Sequence, residues 1–464
     1  MGREIEIAVV GAGPAGLYAG LEAAKMGASV VILDAYPKPG GQYYRQPPPY
    51  FQKHLTSHQM EGRALWQKVL ESGADIITNA TVWYGDKDKT LIYHHSEKNV
   101  VVKPKAVILA CGTYERPVAF PGWTLPGVLM TGGAQTLLVH GVLPGKRVLL
   151  SGSGPLQLVV AKKLVDAGAE VVAVLEGSSR IIRRGFKHIS GIWGQWERLA
   201  EGISSLTTLI RKGIAYRLGW GIVSAQGTDQ VEKAIIARYD EDWRPISGSE
   251  QEIVCDTICI GYGFLPFTAL GKLMGIKHYW DERWYVEIPQ RDETMQTNLP
   301  GVFVAGDGAA LGGARCAILE GRIAGISAAS YLGYKKPQTP QLLQRLRAGL
   351  NRERAFIKMY TDLFSPADGL FELAKEDTII CRCEGIPLGE VRRAFEQGAK
   401  TVGEIKYFTR TGMGECQGRM CGNQINTLLS HWLNQSPAEA GLYTVRPPLF
   451  PLPVQSLLLD EEVG

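Results

Sequence analysis

Four thiols near the C-terminal end carry the strongest chemical signal in the chain. Cys381 and Cys383 stand in Cys-Arg-Cys-Glu, and Cys416 and Cys421 in Gly-Glu-Cys-Gln-Gly-Arg-Met-Cys-Gly. Half of the eight cysteines thus fall in one short stretch, as a C-x-C pair and a C-x4-C pair. In a reducing compartment, cysteines clustered in this way more often bind metal or carry redox chemistry than form disulfides. Three readings follow: a [2Fe–2S] cluster, a four-thiolate zinc site, or no metal. Structural zinc usually takes C-x2-4-C pairs, and C-x-C is tighter than that.

The elements around the thiols can be read from periodicity. Val391, Ala394 and Phe395 mark an amphipathic helix between the pairs. After Cys421, residues Ile425, Leu428, Leu429, Trp432 and Leu433 recur at i, i+3, i+4, i+7 and i+8, a helix with one buried face. Both pairs are therefore expected at loop–helix junctions. Gly412, Gly414, Gly418 and Gly422 make the second loop glycine-dense, so that backbone N–H groups can turn toward sulfur. Arg382, Arg410 and Arg419 would offset the negative charge of a cluster.

Far upstream, Ile5–Val10 is an apolar run, followed by Gly11-Ala-Gly-Pro-Ala-Gly16 and an alanine-rich helix to about Met26. A second strand, Ser29–Leu33, ends at Asp34. This is the βαβ order of a dinucleotide fingerprint. Gly11 permits the tight turn, Gly13 lets the backbone approach a pyrophosphate, and Gly16 allows close helix–sheet packing. Pro14 and Ala15 open the helix whose N–H groups and dipole meet the phosphates. Asp34 is placed to bind a ribose hydroxyl. Gly40-Gly41-Gln42 resembles the flavin-side loop of flavin-binding members of this fold. Ala110-Cys-Gly112-Thr resembles their second short motif, and Thr297-Asn-Leu-Pro-Gly-Val-Phe-Val-Ala-Gly306-Asp307 their C-terminal FAD motif. A helix expected near Gly313-Ala314-Arg315 would point its positive end at the flavin. These residues predict FAD.

The order recurs at 145–176: strand Val148–Leu150, turn Ser151-Gly152-Ser-Gly154, helix Pro155–Ala167, strand Val171–Leu175, and Glu176. The third fingerprint position is Gln157, whose long side chain is expected to disturb the helix–strand contact. Glu176 favours an unphosphorylated ribose, although Arg180, Arg183 and Arg184 follow. NAD, a structural adenine nucleotide and a vestigial site remain open here.

The resulting fold class is α/β. A Rossmann-like FAD domain at 1–140 and 265–335 is interrupted by an NAD-type domain at 141–264. A helical connector at 336–375, a cysteine domain at 376–436 and an extended arm at 437–464 follow. The prolines of the arm favour polyproline conformation, and the arm either contacts a partner or wraps its own domain. Residues 35–110 hold no cysteine, so the flavin lacks the adjoining thiol pair of disulfide reductases there. Cys255 and Cys259, read on one strand, lie about 13 Å apart on one face and are expected in the core. Cys111 and Cys316 are read as packing residues. For Tyr114, Glu115 and Arg116, near the flavin by motif position, structural roles are expected, and no catalytic residue is assigned.

Composition is that of an ordinary globular protein, with 45% hydrophobic and 21% charged residues. A formal charge of +4 argues for neither nucleic acid nor an anionic membrane. No apolar run reaches transmembrane length. Strand residues begin at Ile5, which leaves no room for a signal peptide, and Glu6 stands where a myristoylation motif wants Ser or Thr. The expected location is the cytoplasm, with any membrane association made through a complex.

Cys381-Arg-Cys-Glu together with Thr409-Arg-Thr-Gly-Met-Gly-Glu-Cys-Gln-Gly-Arg-Met-Cys421 resembles the bacterioferritin-associated-ferredoxin-like (BFD-like) [2Fe–2S] domain. Its C-x4-C departs from the C-x2-C of the small ferredoxin and is similar to the version fused to flavoproteins. Pro121-Gly-Trp-Thr-Leu-Pro-Gly127 and Arg446-Pro-Pro448 also resemble that fused family: the FAD/[2Fe–2S] alpha subunits of heteromeric amine and imino-acid dehydrogenases, including opine oxidase, D-hydroxyproline dehydrogenase and hydrogen cyanide synthase. The resemblance implies a relay. A D-amino-acid-oxidase-like flavoprotein beta subunit would oxidise the C–N bond, and electrons would pass through the cluster and FAD to an acceptor such as a quinone. A self-contained NAD(P)H-dependent oxidoreductase and a cluster-bearing scaffold with a structural adenine nucleotide are the alternatives.

Overall fold

A computed structural model describes residues 5–51, 55–181 and 195–457. Two parallel five-stranded sheets organise them. The first runs Val302–Val304, Ala106–Leu109, Ile7–Val10, Val30–Leu33, Asp75–Ile77 in space, with Ile7–Val10 paired on both sides. Its three central strands are buried throughout, as parallel strands covered on both faces must be. Ile7 and Val9 point to a core shared with Leu17, Phe303 and Ile323, while Ala8 and Val10 face one shared with Val82, Leu91 and Tyr93. Helices Pro14–Met26 and Gly313–Tyr331 cross backbone to backbone, since a Cβ on Gly321 or Gly325 would collide with the carbonyl of Ala15 or Ala19.

The second sheet runs Ala215–Leu218, Glu170–Glu176, Arg147–Gly152, Thr257–Gly261, Val128–Met130. The chain enters and leaves it through one antiparallel pair, Thr113–Glu115 with Phe264–Pro266. Val128–Met130 already belongs to this second sheet, paired with Ile258–Ile260. The crossing therefore lies upstream of residue 141, where the sequence reading put the boundary. A three-residue edge strand behind a proline-rich loop carries no periodicity to announce it.

Cys255 and Cys259 are not on one strand as expected. Strand Gln251–Val254 ends before Cys255, and Cys259 sits in Thr257–Gly261. They fall in different cores, both buried and both unpaired, so the core role stands on a different geometry.

Helix Thr339–Phe364 spans most of the connector. The cysteine domain is a hairpin, Ile379–Cys381 with Ile386–Pro387, and helices Leu388–Glu396, Val402–Thr409, Gly422–Leu433 and Pro437–Ala440. Its Val391, Ile405, Ile425 and Leu429 share one continuous core with Phe120, Ile222 and Ile236 of the second domain. The arm lies on its own body: Leu449 is fully buried, and its N–H donates to the Trp83 carbonyl. Residues 458–464 of the arm lie outside the described residues. Among the described residues no helix is long and apolar enough to cross a membrane.

Candidate functional site

The first glycine turn is built as its spacing predicts. Gly11 has φ +104, and a Cβ there would collide with the Ala110 carbonyl. A Cβ on Gly16 would collide with the carbonyl of Gly11. Gly13 is open by contrast, its nearest neighbour being the Gly41 Cα at 3.9 Å. Helix Pro14–Met26 starts at Gly13 with no side-chain cap, which leaves first-turn N–H groups available to an anion. Asp34 is buried, and its carboxylate accepts from the N–H of Ala12 at 2.5 Å and of Tyr36 at 2.8 Å. Burial raises its pKa against those two bonds.

The flavin-side motifs converge on this turn. The Gly40 N–H donates to the Ala12 carbonyl at 2.8 Å. Gly41, at φ +58, passes so close to Gly13 that a Cβ would lie 2.8 Å from its Cα. The Gln42 side chain instead points outward and accepts from Arg45. Gly112 (φ +70) faces Gly308. Gly306 donates its N–H to the buried Glu320 carboxylate at 3.0 Å, which a bidentate pair with Arg291 holds. Asp307 accepts from the N–H groups of Gly312 and Gly313 at 3.1 and 2.7 Å, capping the helix in which Ala314 follows. Its surroundings push its carboxyl up to about 6, desolvation outweighing those bonds. An open glycine turn, an uncapped helix start and carboxylates at two strand ends are what FAD requires of its protein.

The four thiols meet as two pairs. Cys381, at a strand end, lies beside Cys421, the N-cap of helix Gly422–Leu433, and Cys383 lies beside Cys416. The first pair is buried; Cys383 is exposed and Cys416 half-buried. The C-x-C pair thus starts at a strand end, not at the expected loop–helix junction, while Cys421 of the C-x4-C pair caps a helix as expected. The neighbouring Cys421 thiol, followed by the backbone amides of Gly412 and Glu384, pulls the Cys381 pKa down to about 6. Among the described residues no three His, Cys, Asp or Glu side chains converge on one point. Zinc gathers four thiolates around a single ion, whereas each iron of a [2Fe–2S] core takes two. Four thiols set as two adjacent pairs suit the cluster.

Three of the four loop glycines serve a purpose the spacing did not reveal. A Cβ on Gly412 would lie 2.6 Å from the ring of Tyr443, one on Gly418 would collide with it, and one on Gly422 would come to 3.1 Å. Gly414 makes room for Cys383 instead. Arg419 donates to the carbonyls of Cys416 and Leu449 and lies over the stacked rings of Phe267 and Phe450. Arg410 is tied to Glu384 at 3.1 Å and Arg382 is exposed. Arg419 is thus held beside the Cys416–Cys421 loop, and Arg410, through Glu384, beside Cys383.

This loop abuts the strands that leave the flavin motif. One cavity is lined by Tyr114, Phe267 and Thr268 on the crossing side and by Gly418, Arg419 and Tyr443 on the cysteine side. Phe267 donates its N–H to the carbonyl of Gly112. Arg116, fully buried, donates to Asn423 at 2.5 Å and to the Trp284 carbonyl. Trp123, in the Pro-Gly-Trp-Thr-Leu-Pro-Gly run, donates its indole N–H to the Ile379 carbonyl at 2.6 Å, two residues before Cys381. Tyr443, Arg116 and Trp123 are positioning residues without a spacing signature; their partners lie 22, 307 and 256 residues away.

The second glycine turn also assembles. Glu176 accepts from the Gly154 N–H at 2.8 Å and the Ser178 N–H at 2.9 Å, and Gly152 adjoins Gln157. Arg183 and Arg184 lie outside the described residues. Cys111 is half-buried and Cys316 buried, and burial pushes both thiols up to about 12.

Comparison with known proteins places these features together. Residues 5–333 match the family described as pyridine nucleotide-disulphide oxidoreductase, and residues 379–431 the BFD-like [2Fe-2S] binding domain. The chain is 34% identical to hydrogen cyanide synthase subunit HcnB of Pseudomonas aeruginosa, over 89% of this chain and 90% of that one. It is 32% identical to the A subunit of opine oxidase from Agrobacterium tumefaciens, over 97% and 91%. Among solved structures, L-proline dehydrogenase from P. horikoshii shares the fold at a TM-score of 0.68 and 20% identity, covering 98% of this chain and 79% of that one.

Proposed function

We propose a function from the premise that the chain belongs to the pyridine nucleotide-disulphide oxidoreductase family, in the form that ends in a BFD-like [2Fe-2S] binding domain. It is a FAD-dependent oxidoreductase that acts as the electron-transfer subunit of a heteromeric amine or imino-acid dehydrogenase. When bound, FAD and the cluster supply the redox chemistry. Gly11, Gly13, Pro14, Ala15 and Gly16 seat the flavin nucleotide's phosphates, Asp34 its ribose, and Gly41, Gly112, Gly306, Asp307 and Ala314 the flavin end. Cys381, Cys383, Cys416 and Cys421 would hold the cluster. Tyr114, Phe267 and Arg419 line the cavity between the two.

One observation carries this reading: the thiol pairs lie between the strands that leave the flavin motif and the protein surface. The inner pair is buried beside Tyr443, and Cys383 is exposed. That is the order a relay needs. A D-amino-acid-oxidase-like flavoprotein subunit would oxidise the amine and deliver electrons, which leave for an acceptor such as a quinone. HcnB and the opine oxidase relative are both named as subunits, which supports an assembly of several chains. The relay would work in the cytoplasm, at a membrane only through its complex.

The test is to purify the chain alone and together with its partner subunit, then to assay amine oxidation with an artificial acceptor. Turnover is expected only from the complex. Full amine dehydrogenase turnover by the isolated chain would overturn the relay.

A further inference from the structure

The second glycine turn differs from the first in what stands before it. Where Gly13 is open, Gly154 faces the hydroxyl of Tyr360, which a Cβ would strike. The Ser153 hydroxyl donates to the Phe364 carbonyl at 3.0 Å and the Ser178 hydroxyl to the Leu363 carbonyl at 2.5 Å. Arg180 donates to the Ser365 carbonyl at 3.1 Å and to its hydroxyl at 3.2 Å. Leu363 and Phe364 end the helix Thr339–Phe364. Their carbonyls are among the last four that no helical N–H can reach, and they carry the negative end of the helix dipole.

The turn has also changed shape. Helix Pro14–Met26 begins three residues after Gly11, but its counterpart Leu156–Asp166 begins four after Gly152. The Gly154 N–H, which a pyrophosphate would take, donates to Glu176. Gln157 stands where the first turn has Gly16. Its amide donates to the Gly261 carbonyl at 3.0 Å and to the Thr131 hydroxyl at 3.2 Å, filling the gap between helix and strands. Glu176 and Ser178 are almost wholly buried, and the Ser178 hydroxyl is taken by the helix end.

We infer that the second dinucleotide fold seats the C-terminal end of helix Thr339–Phe364 where a nucleotide's phosphates would lie, and takes no nicotinamide or adenine nucleotide. Helix carbonyls replace phosphate oxygens as acceptors, so the fingerprint has become an intramolecular socket. The residues do not fit NAD, and no electron step passes through it. This inference stands whether or not the relay reading does.

The test has two arms on the full-length chain. Nucleotides released on denaturation are separated, and hydrogen exchange is measured with and without millimolar NADH or ATP. FAD is expected as the sole nucleotide, with exchange at residues 152–156 and 360–365 unaltered by either addition. In Ser178→Ala, one lost hydrogen bond should speed exchange of the amides of residues 363–365 roughly fivefold. A stoichiometric second nucleotide, protection of the turn by NADH or ATP, or unchanged exchange in Ser178→Ala would each overturn the inference.

Discussion

The hydroxyl of Tyr443 stands 3.6 Å from the sulfur of Cys421, the more buried half of the thiol arrangement. The ring reaches that point because Gly412, Gly418 and Gly422 leave it space. A donor on a ligand sulfur stabilises the reduced, more negative cluster and raises its potential.

Tyr443→Phe keeps the ring and removes the donor. A bond of about 1 kcal/mol corresponds to roughly 40 mV for a one-electron couple, so the midpoint potential should fall by about that much. An EPR-monitored redox titration reads it, and an unchanged potential would mean the hydroxyl does not act on the cluster.

Gly414→Ala tests close approach without conformational strain, since an added Cβ would collide with that of Cys383. Overpacking of this kind costs about 1–3 kcal/mol. Iron content per chain should fall together with the melting temperature. The control is Gly398→Ala, where φ is +110 and no atom lies within 4 Å. It should cost about 1 kcal/mol for the backbone and leave iron content intact.

Trp123→Phe removes the donor to the Ile379 carbonyl. Losing this bond to a part-buried carbonyl costs about 1 kcal/mol. The loss should concentrate in the hairpin that carries Cys381, seen as faster hydrogen exchange at 379–387 and earlier release of iron under a chelator. Uniform destabilisation across the chain would contradict the placement.

Glu115 is expected to leave a pH signature. Its carboxylate accepts from the N–H groups of Gly132 and Gly133 at 2.7 and 3.0 Å, yet burial pushes its pKa up to about 7. The folded chain thus keeps a proton that the unfolded chain loses near the ordinary carboxyl value of 4.5. Its contribution to stability is complete below the unfolded pKa and is lost as pH rises toward about 7. Glu115→Gln lacks this dependence. Wild-type stability minus variant stability, from denaturant melts, should decline through that window and level off above it.

Local spacing made part of this architecture legible. The Gly11–Gly16 turn, the helix from Gly313 and the helix after Cys421 are encoded within a few residues of themselves. That Cys381 lies beside Cys421 and Cys383 beside Cys416 could not be read that way, because it depends on how a hairpin and a helix cap meet in space. Nor could Tyr443. The glycines that admit its ring were read as turning N–H groups to sulfur, and an aromatic 22 residues from its partner leaves no periodic trace. The second fingerprint kept its sequence pattern through Gly152, Gly154 and Glu176, while Tyr360, Ser153 and Ser178 changed what it holds. A motif records a backbone shape and is silent about its occupant.

Helix Thr339–Phe364 has 26 residues and is about 39 Å long. At one end Thr339 touches Met26, the last residue of the helix that begins at the first glycine turn. At the other, its carbonyls enter the second turn. One rigid rod thus braces the two nucleotide folds like the diagonal of a truss. The separation of the two nucleotide folds is then set when the chain folds.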